Sequence, residues 1–148
     1  MTEALYLEDL SVGQVFGTGP VRLSAEDIQR FAREYDPQAF HTDPEAAKSS
    51  FFGGLVASGW HTAAMTMRLL TESTPLAGGL IGLGGEIGWP RPVRPGDILR
   101  VEARITQISP PRAGSGRGVV LMQTTTFNQN DEPVQNLKAK LLISARAG

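Results

Sequence analysis

The sequence predicts an α+β domain in which a curved antiparallel sheet wraps around one long buried helix. Residues 55–70 are apolar around most of a helical circumference, the pattern of a helix with no solvated face. From residues 99, 119 and 137 onward the chain switches to period two, as strands do. The connections among those last three stretches are short enough to make them antiparallel neighbours.

Residues 15–23 form a weak candidate strand at the start of the order. Ser24 then stands before Ala25-Glu26-Asp27, and Ile28, Phe31, Ala32 and Tyr35 recur at i, i+3, i+4 and i+7, a capped amphipathic helix. Asp36-Pro37 ends it. Asp43 followed by Pro44 and Glu45 signals a second, short helix, because proline at the first helical position lacks only an N–H that has no intrahelical partner. His41 thereby falls in the connection between two helices.

Phe51-Phe52-Gly53-Gly54 leads into the long apolar helix, for which Ser58 is the N-cap of the main portion, although the start could lie a turn earlier. Its alanines and Gly59 let a sheet approach closely. Residues 80–89 are a glycine-rich candidate strand. Val101, Ala103 and Ile105 alternate with Arg100, Glu102 and Arg104, giving a strand with one solvated face. Residues 119–127 are rich in β-branched side chains, and Leu137, Ala139, Leu141 and Ile143 alternate with Lys138 and Lys140. Residues 128–133 make a turn, and 110–118 a flexible loop.

The 148 residues fit one domain, 1–148. A net charge of −1 with both signs interspersed offers no field for nucleic acid or an anionic membrane surface. The absence of cysteine excludes disulfides, thiolate metal sites and a cysteine nucleophile. The first ten residues lack a basic segment followed by an apolar one, and no apolar run approaches the roughly 20 residues that span a bilayer. A cytoplasmic protein without membrane contact is expected.

Several residues recur in a recognisable conjunction. Asp36-Pro37-Gln38-Ala39-Phe40-His41-Thr42-Asp43 is followed by Phe52-Gly53, by Leu55-Val56-Ala57-Ser58-Gly59 at the entrance to the long helix, and by Pro92-Val93-Arg94-Pro95-Gly96-Asp97. The whole resembles the MaoC-like dehydratases and (R)-specific enoyl-CoA hydratases of the hot-dog superfamily, and the resemblance covers nearly the entire chain. Gln38 and Ala39 stand where the family pattern has Asn and Pro, and Ser58 where it has His.

The resemblance implies a hot-dog fold, at least a homodimer, and reversible hydration of an enoyl thioester, with acyl-CoA or an acyl-carrier thioester as partner. Coenzyme A is then part of the substrate, and neither cofactor nor metal is implied. Asp36 and His41 become the catalytic dyad, able to hold one water by hydrogen bonds and activate it. From the residues alone, Asp36 also reads as a helix breaker before Pro37, and His41 as an entry residue to the next helix. Gly59 becomes the backbone N–H donor to the thioester oxyanion, since a helix N-terminus offers free N–H groups and a favourable dipole. It also reads as a small residue for helix–sheet packing. Phe40, Ser58 and Trp60 are candidate pocket residues. His61 is expected to be structural, and Asp43 an N-cap.

Three other readings stay open. His41, Asp43 and His61 could in principle supply the two-histidine, one-carboxylate set of a non-haem iron site. Within the same fold, the chain could hydrolyse an acyl thioester, or bind one without turnover.

Overall fold

The computed structural model describes residues 3–111 and 113–147. Its order is β1 (Val15–Arg22), α1 (Ala25–Tyr35), α2 (Ala39–Thr42), α3 (Pro44–Ala47), α4 (Gly59–Ser73), β2 (Ile81–Gly88), β3 (Ile98–Ser109), β4 (Arg117–Phe127) and β5 (Pro133–Ser144). A 3-10 turn, Leu7–Asp9, precedes β1. The strands form one antiparallel sheet in the order β1-β3-β4-β5-β2, curved around α4. This is the expected α+β hot-dog architecture.

Period two decides which side of the sheet faces the helix. Leu99, Val101, Ala103 and Ile105 of β3 are buried, as are Val120, Met122, Thr124 and Thr126 of β4, while their neighbours face outward. Leu69 and Leu70 of α4 close the same core, joined by Leu141 and Ile143 of β5. A side chain such as Ile105, with no exposed area, contributes about 1.5–3 kcal/mol through burial.

Local signals hold at the helix ends. The Ser24 hydroxyl accepts from the Asp27 N–H at 3.0 Å while the Asp27 carboxylate accepts from the Ser24 N–H, a reciprocal capping box. Asp43 accepts from the N–H groups of Glu45 and Ala46 and caps α3, as Pro44 foretells. Ser58 caps α4 by accepting from Trp60 N–H at 3.2 Å.

Three expectations change. His41 lies on the one-turn helix α2 rather than in a connection, because four residues are too few to show a helical period. The helix α4 is not covered all round: Trp60, Ala64, Met67 and Arg68 are exposed along one face. Apolarity marks what a face prefers, not what covers it. The loop expected over 110–118 is shorter, since Arg117 and Gly118 already pair with β5, and its Arg112 lies outside the described residues.

The two edges of the sheet differ. β1 carries Pro20, which has no N–H to offer, and a register shift between Thr18 and Val21, both of which blunt an edge. The edge strand β2 is exposed throughout, contains no proline, and pairs regularly with β5 from Gly84 to Gly88. Among the described residues no helix is long and apolar enough to cross a membrane.

Candidate active site

Three separate segments converge at the N-terminal end of α4. Asp36 is the C-cap of α1, its N–H held by the Ala32 carbonyl at 2.9 Å. Pro37 stops the helix there, and the one-turn α2 folds back to bring His41 beside it. The segment 55–58 is clamped from both sides, since Val56 N–H donates to the Phe40 carbonyl at 3.1 Å and Ala57 N–H to the Val93 carbonyl at 2.9 Å.

The clamp also orients the histidine. His41 is buried, and its Nδ1 lies 2.6 Å from the Val56 carbonyl oxygen, which can only accept. Nδ1 of the neutral ring must therefore carry the proton, leaving the Nε2 lone pair to face Asp36 Oδ2 at 3.2 Å. Burial pushes the Asp36 carboxyl upward, but hydrogen bonds from Gln38 and Ser58, and the positive charge of His41 whenever its ring is protonated, hold it below its ordinary value. Gln38 Nε2 donates to Asp36 Oδ1 at 2.6 Å. An ionised carboxylate and an imidazole lone pair thus point at one spot, an arrangement that accepts both hydrogens of a water molecule.

This spot opens on a cavity of about 400 Å³ lined by Asp36, His41, Phe40, Gly59, Trp60 and Trp89 among others. Gly59 is the first residue of α4, and its N–H meets no acceptor among the described residues, while the next three N–H groups bond to Ser58. The helix dipole adds partial positive charge at the same place.

The candidate residues are placed as follows. Asp36, His41, Gly59, Phe40 and Trp60 share the cavity. Ser58 does not line it: the side chain is fully buried, where its hydroxyl caps α4 and lowers the Asp36 pKa. Asp43 is spent on capping α3, and His61 lines a different cavity of about 330 Å³ between α1, α4 and β1, so the two-histidine, one-carboxylate set does not assemble.

Three contributors escaped sequence reasoning. Gln38 was visible only as a departure from a pattern, and the Val56 carbonyl is a backbone atom that no side-chain motif encodes. Trp89 follows a glycine-rich strand and nothing nearby in sequence marks it.

His61 stacks on Phe31 with ring centroids 4.4 Å apart, and its Nδ1 is buried without a partner among the described residues. Burial lowers its pKa from 6.5, Asp27 raises it and Arg30 lowers it, with a net depression. The unfolded chain therefore binds the proton more readily, so the stability present above 6.5 is lost as pH falls through the depressed folded value. Melting temperature is expected to decline as pH falls through 6.5 toward the depressed folded value, and His61→Gln to flatten that decline. An unchanged slope in the variant would assign the pH dependence elsewhere.

Comparison with known proteins agrees with this architecture. The family model described as MaoC like domain matches residues 9–126. The crystal structure of a MaoC-like dehydratase from Rhodospirillum rubrum is 51% identical, with a TM-score of 0.94, covering 98% of this chain and all of the other. The uncharacterized protein YdeM of Bacillus subtilis is 33% identical over 140 residues, 93% of this chain and 97% of that protein. A 3-hydroxybutyryl-CoA dehydratase from Methylorubrum extorquens is 29% identical over 109 residues, 73% of this chain and 68% of that protein. The chain belongs to the MaoC-like domain family and has its hot-dog fold.

Proposed function

We propose that the cavity hydrates 2-enoyl thioesters and dehydrates the corresponding 3-hydroxyacyl thioesters, with acyl-CoA as the substrate class. The observation that carries this reading is the fixed tautomer of His41, which sets an imidazole lone pair and the Asp36 carboxylate around one water site. The family supports hydratase chemistry, and a relative 29% identical to this chain is named 3-hydroxybutyryl-CoA dehydratase.

With a thioester carbonyl at the Gly59 N–H, electrons withdrawn from the double bond collect on the oxygen, where the helix N-terminus stabilises them. Water held by the dyad attacks C3: one O–H bond breaks and a C–O bond forms. The dyad takes that proton and returns one to C2, so the net change is addition of water across the double bond. Because Asp36 is held ionised, the pair has room for the transferred proton. Neither step calls on a cofactor.

The test is a panel of 2-enoyl-CoAs, followed by loss of conjugated thioester absorbance. Steady hydration supports the reading. Release of free thiol from saturated acyl-CoA would instead indicate a thioesterase, and tight binding without any absorbance change a non-catalytic binder.

The working unit in this reading is a homodimer joined along β2. That edge lacks the proline that blunts β1, and Trp60 on the open face of α4, 59% exposed, meets Trp89 just past the end of β2. Ile81, Leu83 and Ile87 extend the apolar surface. Sedimentation is expected to give a dimer at micromolar concentration, and a compact active monomer would overturn this.

A further inference from the structure

Trp89 touches three things at once. Its indole packs so closely on Gly59 that a methyl group there would lie 2.6 Å from Cε2 and 2.8 Å from Cδ2. The ring meets Trp60 edge to face, with centroids 5.2 Å apart. Its Nε1–H donates to Gln135 Oε1 at 2.9 Å.

Gln135 is itself fixed. It is a polar residue on β5, 1% exposed, and its Nε2 donates to Thr66 Oγ1 at 3.2 Å. Thr66 in turn lies 2.6 Å from Thr126 Oγ1 of β4, both side chains being buried. The indole N–H is thus the outer end of a buried chain of hydrogen bonds that reaches through the core to the central sheet. Trp89 keeps 40% of its surface exposed, and this tie fixes the inner edge of its ring, against Gly59, as the wall of the cavity.

Following α4 inward shows what the wall closes. Gly59 and Thr62 line the cavity, and Thr66, one turn farther on, is already bonded to Gln135 and Thr126. An acyl tail extending between α4 and the sheet would therefore run into Trp89 and, behind it, into polar groups that satisfy one another. An alkyl chain offers those groups no replacement hydrogen bonds, so displacing them is unfavourable.

We propose that Trp89, latched by Gln135, is the specificity-determining residue of this cavity and restricts the substrate to short-chain enoyl thioesters. The inference rests on the hydratase reading and adds the substrate class to it. Gln135 acts through Trp89 and is a positioning residue.

The experiment compares kcat/KM for crotonyl-CoA and trans-2-octenoyl-CoA in the wild-type protein, Trp89→Leu, Trp89→Phe and Gln135→Leu. Wild type is expected to prefer the four-carbon substrate by at least about 100-fold, since each methylene meeting a closed wall is worth about 10-fold or more. Trp89→Leu should raise the octenoyl-to-crotonyl ratio by about 10–100-fold, with Gln135→Leu moving it the same way by less and Trp89→Phe least. A purely structural role would lower both rates together and leave the ratio alone. Binding of butyryl-CoA and octanoyl-CoA to the wild-type protein, by calorimetry, gives a readout that needs no variant, and tighter binding of the shorter chain is expected. Equal use of both enoyl-CoAs by wild type, or a ratio unchanged in a folded Trp89→Leu, would overturn the proposal while leaving the hydratase reading in place. Failure of the folded wild type to hydrate any enoyl-CoA would remove both.

Discussion

Replacing His41 with alanine is expected to lower kcat for enoyl-CoA hydration by on the order of 10²–10⁴, and Asp36→Asn to do the same, with each variant still folded. The two changes act on one water site from opposite sides. His41→Ala removes the lone pair that the Val56 carbonyl aims at Asp36. Asp36→Asn keeps the shape but replaces an acceptor-only carboxylate with a group whose NH2 cannot take a proton from water. Neither side chain belongs to the apolar clusters around β3 and α4, so both variants should fold, with His41→Ala losing about 1–3 kcal/mol because the buried Val56 carbonyl is left without its donor. Turnover unchanged in either variant, measured by single-turnover absorbance, would dismiss the dyad. Losses that multiply in the double variant would show that the two residues do not work as a unit.

Gly59→Ala is expected to cost both stability and rate. The added methyl would overlap Cε2, Cδ2 and Cζ2 of Trp89 at 2.6–2.9 Å, distances that force the ring or the helix to move. Overpacking of this kind costs about 1–3 kcal/mol. Displacing the indole also disturbs the cavity beside the proposed oxyanion donor, and loss of one such donor lowers kcat by roughly 10²–10³. From sequence, packing and catalysis are separable roles for Gly59. In the structure the packing partner is itself the cavity wall, so the single variant lowers both. Trp89→Leu in the Gly59→Ala background separates them: melting temperature should recover as the overlap is relieved, while kcat stays low if the methyl obstructs the thioester at the N–H. Recovery of both would take the Gly59 N–H out of the proposed mechanism.

How much of this is legible in the chain varies with the kind of information each part needs. Strands β3, β4 and β5 announce themselves because one face is buried and one is solvated, which writes the pleat directly into the residues. The glycine-rich β2 has no such face to write. Caps were readable at Ser24, Asp43 and Ser58 because they act within three residues of themselves. The positions of Asp36 and His41 followed from a pattern of residues, but the reason they can work together did not. That reason is a carbonyl fifteen residues downstream, and an amide side chain at Gln38 that looks like a mere deviation. Trp89 was invisible for a related reason: its partners Gly59, Trp60 and Gln135 lie 29 to 46 positions away, and contact at that distance leaves no periodic trace.

The strand order has a consequence for how the molecule comes into being. β3, β4 and β5 are neighbours in both sequence and space, so their pairing closes only short loops. β1 must wait for β3 across residues 22–98, and β2 for β5 across residues 88–133. Closing long loops costs more entropy and proceeds more slowly, which makes the three-strand meander the natural nucleus. Asp36, His41 and Gly59 all lie in the stretch between β1 and β2, and their cavity exists only when that stretch has been drawn across the sheet. A chain weakened by mutation would accordingly lose its cavity by local opening while the meander remains paired, and its activity would fail at lower temperature than its sheet.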